Sequence, residues 1–233
     1  MVARTHSRGT RSNKLEDLFA EWVKSYPATH QGDFHRDGIV HEGLYLREAT
    51  RVLYIVLEPN SKGGRYDQHR GADLRILWGD IGLGKSFDLN LARWTAILLD
   101  GATKYFTPDA EHAKQQLRRV AIVNLKKLAG SGTANREAIS VHAWRDKDYL
   151  RRQVAIVQPT LVVTCGVPAN RLFGWIIYDD PLKEIPEESV WTHKSFHVLP
   201  VNHPSLRPQN APSAFTRVVQ RASQAKVGAF GTK

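Results

Sequence analysis

A chain of 233 residues with 42% hydrophobic composition holds enough apolar material for one substantial core, so a single α/β domain is expected rather than two small ones. A formal charge of +10 and a pI near 9.8 suit a polyanionic partner, nucleic acid first and an anionic membrane surface second. The lone Cys165 excludes an internal disulfide, a four-thiolate zinc site and a cysteine-ligated iron–sulfur cluster; with no transmembrane-length or secretory apolar run, a reduced cytoplasmic setting and no membrane partner are expected.

The opening segment, residues 1–14, carries Arg4, His6, Arg8, Arg11 and Lys14 without an acid, the composition of a flexible arm that touches phosphates. A transit signal and an inert tail are the other readings of it. Leu15, Leu18, Phe19, Trp22 and Val23 recur at helical spacing, with Asn13 as the cap. From Tyr26 to Glu48 the chain is rich in His, Gly and Asp, and a loop with one short extended piece is expected. His30, His35 and His41 lack tight ligand spacing and cysteine company, so no metal is expected there.

Val52 to Leu57 is an unbroken apolar, β-branched-rich run, which reads as a strand covered on both faces. It stops at Glu58 and Pro59, and a polar loop of Asn60, Ser61, Lys62, Gly63 and Gly64 follows. Ligands of open α/β sheets bind beyond the carboxyl ends of the strands, so Glu58 stands where a reacting group is expected; a solvated strand-end carboxylate is the plainer reading.

After a variable stretch over residues 65–84, a helix is expected from Phe87 to Leu99 with Ser86 as its cap, and another from Thr107-Pro108 to about Arg119. Val120 to Val123 reads as the second strand, ending in Asn124. A helix over about Asp146 to Val157 leads to a third strand, Leu161 to Thr164. Val198 to Val201 makes the fourth, ending at Asn202-His203, and a last helix covers about Pro212 to Ala225. Strands alternating with helices imply right-handed crossovers and a three-layer α/β/α sandwich around a central, mainly parallel four-stranded sheet, a single domain over residues 15–233.

Three strand ends carry a resemblance. V-L-Y-I-V-L-E-P-N-S at Val52, A-I-V-N-L-K-K at Ala121 and L-P-V-N-H-P-S-L-R-P-Q-N at Leu199 resemble, in order and rough separation, the active-site segments of the uracil-DNA glycosylase superfamily. Q-P-T-L-V-V-T-C-G-V-P-A from Gln158 resembles its intervening strand and turn, so the likeness spans about Arg51 to Asn210. Without cluster cysteines, the chain looks most like an atypical, iron–sulfur-free class. The resemblance implies a uracil-DNA glycosylase-like fold and a monofunctional, monomeric enzyme of base excision repair. It would excise uracil, and other deaminated bases with it, from single- or double-stranded DNA and need no cofactor.

Residue by residue, the resemblance makes Glu58 the water-positioning carboxylate, where several branches have a shorter Asp or Asn before the proline. Asn124 would read the pyrimidine edge, His203 would serve the departing base, Ser205 would contact phosphate, and Arg207 would wedge into the duplex. Pro59 and Asn60 belong to the first motif, and Tyr66 is the nearest aromatic for stacking the base, with Trp78 and Phe87 behind it. Ser61, Lys62, Lys126 and Lys127 are expected on the DNA backbone. The chemistry needs these types: cleavage builds positive charge on the sugar and negative charge on the base, and the base must first leave the stack.

One rival motif remains. Residues 79–86, Gly-Asp-Ile-Gly-Leu-Gly-Lys-Ser, satisfy the phosphate-loop pattern after a short apolar piece, Ile76 to Trp78, which would make the protein a nucleotide hydrolase or kinase. Arg75 interrupts that piece, and no strand ends in the aspartate that magnesium would require. A non-catalytic nucleic-acid-binding domain is the third reading.

Overall fold

Five consecutive buried residues, Val52–Val56, form β2, the strand around which the sheet is laid out. The computed structural model of the chain describes residues 10–59, 73–81, 86–130 and 134–228. Among them lies a six-stranded mixed sheet of order β1-β3-β2-β4-β6-β5, where β1 is Gly38–Ile39, β3 Ala121–Asn124, β4 Leu161–Cys165, β5 Trp191–His193 and β6 Phe196–Val201. Strands β3, β2, β4 and β6 run parallel, and β1 and β5 close the two edges antiparallel. The expected four-stranded, mainly parallel sheet of the resembled family is therefore corrected to a mixed six-stranded one. The additions have a physical reason for being missed: both edge strands are too short to show a period, and β1 opens on Gly38 at φ +121.

The unbroken apolar run of β2 follows from the pleat, which sends alternate side chains to opposite faces. Leu53 and Ile55 join one core with Ala121, Val123, Val162 and Val198, covered by α1 (Arg11–Lys24), α8 (Lys147–Val157) and α9 (Val167–Tyr178). Val52, Tyr54 and Val56 join the other with Ile122, Val163 and Leu199, covered by α5 (Ser86–Asp100) and α10 (Ala211–Ala225). Full burial of each such side chain is worth about 1.5–3 kcal/mol, so both faces are held by the same means.

Local chemistry shifts several boundaries. Helix α1 is capped by Thr10, whose side chain accepts from Asn13 N–H, so Asn13 lies inside the helix and residues 11–14 belong to it rather than to an arm. Residues 26–48 contain two one-turn helices besides β1, Ala28–Gln31 (α2) and Glu42–Tyr45 (α3), the latter capped by the His41 ring. Asp109, not Thr107, caps α6 (Ala110–Leu117). Two longer helices also escaped the sequence reading: α7 (Arg136–Arg145), which buries only Ile139 and Ala143, and α9, which is apolar nearly all round. Among the described residues no helix is long and apolar enough to cross a membrane.

Candidate active site

The first parallel strand, β2, has β3 on one side and β4 on the other, and the connection leaving β2 runs towards β3 while the one leaving β4 runs the opposite way. That divergence opens a crevice at the carboxyl ends of β2 and β4, the ligand position in open α/β sheets. A cavity of about 580 Å³ occupies it. Its wall takes Val56 to Pro59 from the end of β2, Asn124 from β3, Cys165 and Gly166 from β4, and His203 and Ser205 from beyond β6. The carboxylate, amide and imidazole singled out from sequence thus share one cavity, and Pro59 and Ser205 border it with them.

Glu58 is held on two sides. Its Oε2 accepts from Lys126 Nζ at 2.6 Å, and the two side chains are only 8% and 11% exposed. Gly130 packs on the carboxylate so closely that a Cβ there would collide with it, and Gly130 N–H donates to Pro59 O at 2.7 Å. In the structure Lys126 is the ion-pair partner of the Glu58 carboxylate. The pairing gives a largely enclosed carboxylate the countercharge that burial calls for.

Asn124 is oriented from behind. Asp37 Oδ2 accepts from its backbone N–H at 2.8 Å and from its side-chain Nδ2 at 3.1 Å. A carboxylate accepts only, so this contact decides which end of the amide is nitrogen and leaves the oxygen and the second N–H for a ligand. Asp37 is itself fully buried, with Oδ1 accepting from Lys127 Nζ at 2.7 Å and Gln153 Nε2 at 2.8 Å. Lys127, 0% exposed and stacked 4.9 Å over the Trp22 ring, has its pKa lowered by burial against the pull of Asp37. It cannot reach DNA, and the expectation of a phosphate contact there is corrected.

His203 Nδ1 accepts from Ser205 backbone N–H at 3.2 Å, which leaves the proton of the neutral ring on Nε2. The ring is open to the cavity, yet surrounding protein removes enough water to hold its pKa below the ordinary histidine value. Asn90 of α5 secures the turn by donating to Pro204 O at 2.7 Å, and is steadied by Arg93 Nη1 at 2.7 Å. Gly166, at φ +96, passes the turn closely, where a side chain would be strained. The result is a neutral N–H donor at a cavity wall.

Other placements are mixed. Phe87 lines the cavity with its ring centroid 6.4 Å from that of His203, and Trp78 lines it while 4% exposed. Arg207 is exposed outside the cavity lining, just before the 3-10 turn Pro208–Asn210. Asn60, Ser61, Lys62 and Tyr66 lie outside the described residues, as do residues 82–85 of the phosphate-loop motif. The residues before that motif are helical, Leu74–Ile76 (α4) running into a π-helical turn at Leu77–Ile81, so the strand a phosphate loop requires does not lead into it. Cys165 borders the cavity as a buried thiol whose pKa burial pushes up, the opposite of an activated nucleophile.

Two cavity residues were missed. Asp88 is a buried carboxylate in the first turn of α5, and Arg136 is an exposed guanidinium opening α7. An acid in a first turn reads as a complement to the helix dipole, which hid Asp88; α7 itself was not foreseen. Among the described residues no group of three or more His, Cys, Asp or Glu side chains is disposed to hold a metal. Comparison with protein-family models and with curated proteins finds no match for the chain.

Proposed function

We propose that the protein is a monofunctional DNA glycosylase that removes uracil, and other deaminated bases with it, from DNA and leaves an abasic site. The observation that carries this reading is the single cavity walled by Glu58, Asn124 and His203 from three strand ends. In the proposed reaction the C1′–N1 bond breaks, its electron pair leaves with the base, and a water oxygen bonds to C1′. His203 Nε2–H donates to the base oxygen as negative charge develops there, a contribution of about 3–4 kcal/mol for one well-placed donor. Glu58 positions the water, opposes the sugar's positive charge and takes the water proton, which passes to the departed base. Asn124 receives the pyrimidine edge with the oxygen and N–H that Asp37 leaves to it. Phe87 is the described aromatic best placed to stack on the flipped base.

Uracil-containing oligonucleotides, single- and double-stranded, test the reading by alkali-sensitive nicking. His203→Ala is expected to slow base release by about 10²–10³ with little change in DNA affinity, and Glu58→Gln to slow it too. Equal losses of release and affinity in His203→Ala would make His203 a contact residue. Salt-sensitive binding without release by the unaltered protein would favour the non-catalytic domain.

A further inference from the structure

Beside the main cavity lies a second groove of about 210 Å³, and the two share Leu57, Arg136 and Pro168 in their walls. The groove is floored by apolar side chains and carries the half-buried indole of Trp175, with Arg136 and Arg171 at its sides and no acid in its lining. Trp175 Nε1 donates to Lys183 O at 3.2 Å, which holds the ring in place. Arg171 is ion-paired with Glu187, whereas Arg136 has no acidic partner among the described residues. An exposed guanidinium bordering both hollows stands where a group joining two occupants would pass.

We infer that this groove takes the nucleotide next to the extruded one on the same strand, with its base against Trp175 and the intervening phosphate on Arg136. This rests on the glycosylase reading above and adds a single-stranded flanking subsite to it. The charge and the ring argue the same way. Phosphodiesters are anionic, and a guanidinium matches them with fixed donors. Every base offers a face to an aromatic ring, which makes such a platform tolerant of sequence. The small volume fits one ring system rather than a drug-sized ligand, whose pockets run to about 300–1,000 Å³. Continuity with the main cavity favours an occupant joined to the extruded nucleotide, since Leu57, Arg136 and Pro168 line both hollows. A base can enter it only if it is not paired in a duplex next to the lesion, so single-stranded DNA is the preferred form.

The test uses short single-stranded oligonucleotides with one deoxyuridine and, on its 5′ or its 3′ side, either a normal nucleotide or a tetrahydrofuran abasic residue. For the unaltered protein, removing the base on one side only should lower kcat/KM about tenfold, the order expected for one base stacked on an aromatic ring. Trp175→Ala should abolish that difference, and Arg136→Gln, a surface change, should raise KM for both oligonucleotides with kcat kept. Abasic neighbours tolerated within twofold on both sides would overturn the subsite, and so would a penalty that persists in Trp175→Ala. If no oligonucleotide loses uracil, the glycosylase reading falls instead. Binding anisotropy of the same set then still decides the groove, a one-sided loss through Trp175 keeping it and no loss removing it.

Discussion

Asp37 orients the amide proposed to read the base, although nothing in its surroundings in the chain announces it. Its carboxylate is linked to Asn124 across 87 positions and to Lys127 across 90, and both partners converge on it with no solvent between. Breaking a buried pair of this kind costs roughly 3–5 kcal/mol, because the remaining charge is left without a partner. Asp37→Asn is expected to lower the urea midpoint of unfolding accordingly. Asp37→Leu combined with Lys127→Met should recover part of the loss, since no lone charge remains. A single variant within about 1 kcal/mol of the original would show that the pair contributes no more than a surface ion pair does. The same substitution frees the Asn124 amide to turn over, so uracil release should slow as well.

Glu58 owes its setting to two segments, the end of β2 and the stretch after β3 that brings Lys126 and Gly130 against it. Lys126 N–H donates to Leu57 O at 2.9 Å and Leu125 N–H to Val56 O at 2.9 Å, so the parallel ladder extends past both strands and carries the two segments forward together. Gly130→Ala places a methyl group in the space of the carboxylate. Thermal unfolding should show a loss of stability in Gly130→Ala that largely disappears when Glu58→Ala is added, the non-additivity expected of side chains in contact. Additive losses would mean that residue 130 acts through its own backbone alone. Strands β2, β3, β4 and β6 were legible to within two residues because burial on both faces leaves a continuous apolar run in the chain. Helices α7 and α9 were not: the first shows too few apolar positions to reveal a face, and the second too many.

Acid should weaken the whole molecule. Burial lowers the pKa of His142, His193 and His203, with nearby Arg145 acting on the first and Lys194 on the second. Where a folded-state pKa lies below the unfolded value of about 6.5, the unfolded chain takes up the proton first. Stability from this source is therefore undiminished above that pH and falls as pH decreases from there through the folded values. The melting temperature is expected to drop between pH 7 and 5, with a shallower slope in His203→Gln; an unchanged slope would remove His203 from the effect. Base release should persist down through the ordinary histidine range, since the neutral ring is the proposed donor.

Charge, strand runs and the strand-end residues Glu58, Asn124 and His203 could be read from the chain itself, because repeated burial and the polar residue that ends it are written locally. The partners of those residues could not. Only the fold sets Lys126 against Glu58 from 68 positions away, and Lys127 reads as a DNA-binding lysine in the chain until the fold encloses it. The short edge strands, the cavity position of Asp88 and the groove beside Trp175 belong to the same class. Each depends on which distant surfaces meet, and a contact between segments far apart leaves no period or composition in either.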